Sequence, residues 1–143
     1  MGGMCLAAQL EAVEGVELLP AGAENMIDFY QSLDIFFYRT GTTVDAYGRV
    51  VAEAMASGLP VVVGNIGGYA EVVMEGGCGF LVATQEQAWD ALECLASSPE
   101  TRKSMGTAAM QQAEHLHGKS ACELLLDSYL GDSRVTSGTP KHL

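Results

Sequence analysis

An α/β fold, with a parallel sheet covered by helices on both faces, is what this sequence predicts, and three observations predict it. Short runs of branched and aromatic residues, Ile35-Phe36-Phe37-Tyr38, Pro60-Val61-Val62-Val63 and Gly79-Phe80-Leu81-Val82, recur at roughly 20-residue intervals. Between them lie stretches whose apolar residues repeat at helical spacing and end at glycine. The runs are continuously apolar rather than alternating, as suits strands buried on both faces of a parallel sheet.

Taken in order, Leu6, Leu10 and Val13 stand at helical spacing, and Gly15 stops the pattern before Val16-Glu17-Leu18-Leu19-Pro20, a strand-like run. Met26, Ile27, Tyr30 and Leu33 mark a second amphipathic helix, followed by the strand at Ile35–Tyr38. A polar loop from Arg39 to Val44 gives way to an alanine-rich helix from Ala46 to Ser57, ended by Gly58, which can take the left-handed conformation at a helix C-terminus. The strand Pro60–Val63 leads through Asn65-Ile66-Gly67-Gly68 to a short helix, Tyr69 to Glu75, closed by Gly76-Gly77. After the strand Gly79–Val82 the chain turns wholly helical near Gln85–Ala96, Pro99–His117 and Lys119–Leu130, segments expected to pack across the sheet edge.

This reading yields about four strands, where an independent doubly wound domain generally has about five or six. The expectation is a partial domain over residues 1–130, incomplete on its N-terminal side, and a flexible tail over 131–143, where Gly, Ser, Thr and Pro show no apolar period.

Composition narrows the function. Of 143 residues, 48% are hydrophobic and 17% charged, enough apolar material for a core and too little charge for a disordered chain. Eighteen acidic residues against seven basic ones leave a net charge of −11, which repels nucleic acid and anionic membranes. Leu59-Pro60-Val61-Val62-Val63, the longest apolar stretch, is far short of the ~20 residues a membrane span requires, and no secretion signal opens the chain. A cytoplasmic location is expected. Cys5, Cys78, Cys94 and Cys122 stand singly and read as buried thiols in a reducing compartment. His115 and His117, two apart on a helix, point to different sides and could not readily share an ion. Neither a metal nor an organic cofactor is called for.

In parallel α/β sheets ligands bind beyond the carboxyl ends of strands, where helix N-termini present unpaired N–H groups. Thr42-Thr43-Val44-Asp45-Ala46-Tyr47-Gly48 follows such a strand, and Gly48 lets a ligand approach the backbone. A helix N-terminus offers about half a positive charge to a diphosphate without any lysine, which matters in so acidic a chain. Asp45 reads equally as a cap of that helix. Glu53 lies among Val50, Val51, Ala52, Ala54, Met55 and Ala56; a buried carboxylate there needs partners such as ligand hydroxyls, while a solvent-facing glutamate is the simpler alternative. If the segment is helical throughout, Asp45 and Glu53 stand ~12 Å apart, a span suited to a sugar nucleotide. A second loop, Gly64-Asn65-Ile66-Gly67-Gly68 with Glu71 beyond it, is most simply a tight turn.

Asp45-Ala46-Tyr47-Gly48 to Glu53-Ala54-Met55-Ala56-Ser57-Gly58-Leu59-Pro60-Val61-Val62, then Gly67-Gly68-Tyr69-Ala70-Glu71-Val72-Val73, closely resemble the retaining GT-B glycosyltransferases of the group 1 type. The match extends over roughly Val16 to Leu130. It implies a Rossmann-like lobe, the latter part of the C-terminal lobe that binds the sugar nucleotide, facing an N-terminal lobe that binds acceptor. By the resemblance Glu53 binds the nucleotide ribose, and the backbone amides of Ala46, Tyr47, Gly48, Arg49 and Val50 bind the donor sugar and diphosphate. The motif's first acid, usually glutamate, is Asp45 here, one methylene shorter.

The family's diphosphate-neutralising Arg and Lys lie earlier in the donor lobe, outside this sequence, and neither Arg39 nor Arg49 matches them. The expected function is therefore the donor-binding portion of an enzyme moving a hexose from a nucleoside-diphosphate sugar to an acceptor, inactive as an isolated chain because the leaving charge lacks its stabilising cations. The alternative is a non-catalytic α/β module derived from that fold, self-associating into a homo-oligomer through the incomplete sheet edge. An unrelated doubly wound domain is a third reading; a signalling receiver would need an acidic cluster at a strand end, which the sequence does not show.

Overall fold

The computed structural model describes residues 9–20, 22, 25–39 and 48–126. Three short strands, β1 (Phe36–Tyr38), β2 (Val61–Gly64) and β3 (Gly79–Val82), form a parallel sheet in the order β1-β2-β3. Phe36 pairs with Val61, and Val61 in turn with Gly79, so one register runs across all three. Alternation along β2 sends its side chains to opposite faces, and both faces are covered: Val61, Val62 and Val63 are each 3% exposed or less.

Five helices connect and cover the strands: α1 (Met26–Gln31), α2 (Arg49–Ala56), α3 (Tyr69–Gly76), α4 (Gln85–Ser97) and α5 (Pro99–His117). Beneath one face Val61 and Val63 pack with Tyr30 of α1, Val51, Ala54 and Met55 of α2, Val73 of α3, and Ala109 and Ala113 of α5. Against the other, Val62 and Val82 pack with Ala88, Ala91 and Leu95 of α4. Met105 of α5 joins this second cluster while Ala109 and Ala113 join the first, so α5 runs across the β3 edge; α4, expected at that edge too, instead covers a face of the sheet.

Local chemistry sets the helix ends. The Asn25 side chain accepts from the Ile27 N–H at 2.9 Å and opens α1. Thr84 and Gln87 form a reciprocal capping box on α4. Ser98 caps α5, and Pro99, with no N–H to satisfy, follows at its first position. The close approach of α2 to α5 needs Gly106, where a Cβ would collide with the Gly58 carbonyl oxygen.

Three expectations are corrected. Residues 16–20 are not a strand, so the described sheet has three strands rather than four. A strand exists by pairing, and this segment lies against no ladder, with Val16 and Leu19 exposed. The alanine-rich helix begins at Arg49 rather than Ala46, because Gly48 takes a left-handed backbone that no α-helix contains. Among the thiols, Cys78 is buried but Cys94 and Cys122 are exposed. The chain is helical again over residues 119–126. Cys5, the start of the first predicted helix, the 40–47 loop and the 131–143 tail lie outside the described residues.

Candidate donor-binding site

The N-terminus of α2 lies at the carboxyl end of the sheet, where it meets Tyr38 at the end of β1 and Val63 and Gly64 at the end of β2 around a small cleft. Gly48 is the N-cap residue, with φ 55° and ψ 46° and no side chain to cap the helix. A Cβ there would stand 2.6 Å from Cδ2 of Tyr69, so the tyrosine ring of α3 packs directly on this turn. The first intrahelical donors are the Val51 and Ala52 amides, both directed at the Gly48 carbonyl, at 2.9 and 3.3 Å. The Arg49 and Val50 amides precede them, in the position where a helix offers N–H groups and its positive dipole end to an anion.

One turn further on, Glu53 is half-exposed, its side chain 39% accessible. Its Oε2 accepts from the Tyr30 hydroxyl at 3.0 Å, and its Oε1 stands 3.7 Å from Nε of Arg49. The Arg49 side chain is 83% exposed, so that ion pair contributes little. Glu53 also borders a hollow of about 300 Å³ between α2 and α5, with Met110, Glu114 and His117 on its far wall. His117 Nε2 lies 3.1 Å from the Tyr69 hydroxyl, tying the C-terminus of α5 to the residue that packs on Gly48.

Tyr30 is 3% exposed. Burial, followed by the hydrogen bond to Glu53 and its negative charge, pushes its phenol up to about 12. Burial alone pushes the Cys78 thiol up. Arg39 is also accounted for: its Nη2 donates to the Ala83 carbonyl at 3.1 Å, bridging the ends of β1 and β3.

Of the residues singled out in the sequence, Gly48 caps α2, and Arg49, Val50 and Glu53 lie within it. Asp45, Ala46 and Tyr47 lie outside the described residues. The ~12 Å spacing assumed a helix starting before Gly48 and does not apply. Gly48, not Asp45, occupies the cap of α2. Glu53 is neither buried nor without partners, and its principal partner, Tyr30, had been assigned only to a helix core; the available signal was a tyrosine hydroxyl on a buried face, which must find an acceptor. Glu71 lies exposed in the first turn of α3. Among the described residues no group of three or more His, Cys, Asp or Glu side chains could hold a metal, and no helix is long and apolar enough to cross a membrane.

The class of fold is that of a GT-B glycosyltransferase fragment. The structure resembles the crystal structure of WaaG, a glycosyltransferase involved in lipopolysaccharide biosynthesis, with a TM-score of 0.59 and 23% identity, covering 78% of this chain and 29% of that one. The chain belongs to the family Glycosyl transferases group 1, whose sequence profile matches residues 4–112. It is 35% identical over 118 residues to a D-inositol 3-phosphate glycosyltransferase of Corynebacterium diphtheriae, covering 81% of this chain and 27% of the relative. A protein of the same description from Nocardia farcinica is 34% identical over 127 residues, covering 87% and 28%. The chain thus spans less than a third of the length of these curated relatives.

Proposed function

We propose that this chain is the donor-binding portion of a glycosyltransferase that moves a hexose from a nucleoside-diphosphate sugar to an acceptor. The observation that carries the reading is Glu53 presented one turn beyond a helix N-terminus whose cap residue is glycine, at the carboxyl end of a parallel sheet. On the family resemblance the amides of Ala46, Tyr47, Gly48, Arg49 and Val50 bind the donor sugar and diphosphate, Asp45 stands in the place of the motif's first glutamate, and the Glu53 carboxylate accepts hydrogen bonds from ribose hydroxyls. In a chain of net charge −11 this use of backbone dipoles is the economical way to hold an anion.

Sugar transfer requires the charge growing on the leaving diphosphate to be stabilised, and neither Arg39 nor Arg49 matches the family's cations for that task. On this reading the isolated chain binds donor without transferring sugar. The free thiols Cys78, Cys94 and Cys122 suit a reducing compartment, and the reading places the chain in the cytoplasm. Titration of the chain with UDP, GDP, ADP and their sugar conjugates by ligand-observed NMR tests the proposal. Selective binding of one base, weakened about 10-fold or more in Glu53→Ala, is the expected result; a mutant binding as tightly as the parent removes the ribose role.

One observation favours a second reading. Strand β1 pairs only with β2 within the described sheet, and Phe37 on it is 46% exposed, an arrangement open to self-association. A strictly monomeric mass by sedimentation across a wide concentration range would eliminate it.

A further inference from the structure

We infer that Tyr30 is the positioning residue for the nucleotide site: its hydroxyl fixes one oxygen of Glu53 so that the other is presented to the ribose. The inference rests on the ribose role proposed for Glu53.

Glutamate has three rotatable side-chain bonds, and a half-exposed one samples many rotamers unless something holds it. Arg49 cannot serve, being itself largely exposed and 3.7 Å away. Tyr30 is the opposite kind of partner. Its ring is fixed edge-on between Phe29 and Phe36, at centroid distances of 5.5 and 5.9 Å, and α1 beneath it is anchored by the Asn25 cap. The hydroxyl therefore has one location, 3.0 Å from Glu53 Oε2 and 3.3 Å from the Val50 carbonyl oxygen. A single rigid side chain thus touches both the carboxylate and the first-turn backbone of α2, the two groups that the donor meets. Burial and the neighbouring carboxylate keep the phenol protonated, so it donates at neutral pH. With Oε2 occupied, Oε1 is left to accept from a ribose hydroxyl.

Tyr30→Phe removes the hydroxyl and keeps the ring. The test measures, in the full chain, the affinities of UDP, GDP and ADP beside those of their 2′,3′-dideoxy counterparts, for the parent, Tyr30→Phe, Glu53→Ala and the double variant. The parent is expected to prefer the ribonucleotide. Tyr30→Phe should weaken ribonucleotide binding about fivefold and leave the dideoxy analogue unchanged. In the Glu53→Ala background it should add nothing, since the two act as one unit.

If Tyr30→Phe keeps the parent's full ribose preference, or weakens both ligands equally, the positioning role is overturned while the Glu53 reading stands. If the parent does not distinguish the two ligands, or Glu53→Ala retains the preference, the ribose reading fails and this inference with it. The parent alone supplies a second measurement independent of whether the variant folds: the Tyr30 hydroxyl proton should shift in the NMR spectrum when the ribonucleotide binds and stay put with the dideoxy analogue. An unmoved proton under saturating ribonucleotide contradicts the proposal.

Discussion

Glu53 and Gly48 are the single residues on which the proposed donor site rests. Glu53 stood out in the sequence because it is a carboxylate in a helix otherwise made of small apolar residues, but the structure leaves it half-exposed rather than buried. Its partner was not, because helical periodicity records only that Tyr30 faces the core and says nothing of where a hydroxyl at the ring's tip arrives. The pair has a measurable signature in alkali. A phenol held near 12 when folded and near 10 when unfolded stabilises the protein fully below pH 10. Above pH 10 the unfolded chain loses this proton first, so stability falls by about 2–3 kcal/mol by pH 12. Denaturant unfolding of parent and Tyr30→Phe at pH 9 and pH 12 should show the extra loss only in the parent. At Gly48, alanine meets both a left-handed backbone, at about 1–2 kcal/mol, and the Tyr69 ring 2.6 Å away. Gly48→Ala should lower the melting temperature and weaken nucleotide binding together, read by calorimetry and titration of the same sample.

At the scale of elements, legibility followed the strength of the end signals. Helices α4 and α5 begin where Thr84-x-x-Gln87 and Ser98-Pro99 announce them, because capping chemistry is local and written in the sequence. The start of α2 was misplaced because Ala46 and Tyr47 read as helix while the φ of Gly48 depends on its packing against Tyr69. The Val16–Pro20 segment was misread for a related reason: β-propensity marks what can fit a ladder, but only a neighbouring strand makes one. The contact of α2 with α5 hangs on Gly106, whose Cβ position is filled by the Gly58 carbonyl oxygen. Gly106→Ala should force the two helices apart and cost about 1–3 kcal/mol in urea unfolding, despite alanine's better helix propensity. An unchanged or raised midpoint would show that α5 shifts without penalty.

For the whole molecule, apolar runs alternating with helical segments pointed to a parallel sheet with both faces covered, and Val61, Val62 and Val63 are buried together in its central strand. Chemistry at that scale is harder to read. The family match covers residues 4–112, and the region corresponds to the C-terminal part of a GT-B glycosyltransferase. With a net charge of −11, long-range repulsion opposes a diphosphate, and salt screens it. Donor affinity should therefore hold or rise between 50 mM and 200 mM salt, whereas binding driven by surface lysines would fall steeply over the same range.

The most direct test compares nucleoside-diphosphate binding to the parent chain and to Glu53→Ala, with folding of both verified by thermal melts. A folded parent that selects one nucleotide, and a folded mutant that has lost at least about 10-fold of that affinity, is the predicted result. A parent that binds none of UDP, GDP and ADP, or a mutant that binds like the parent, would contradict a donor site built on α2.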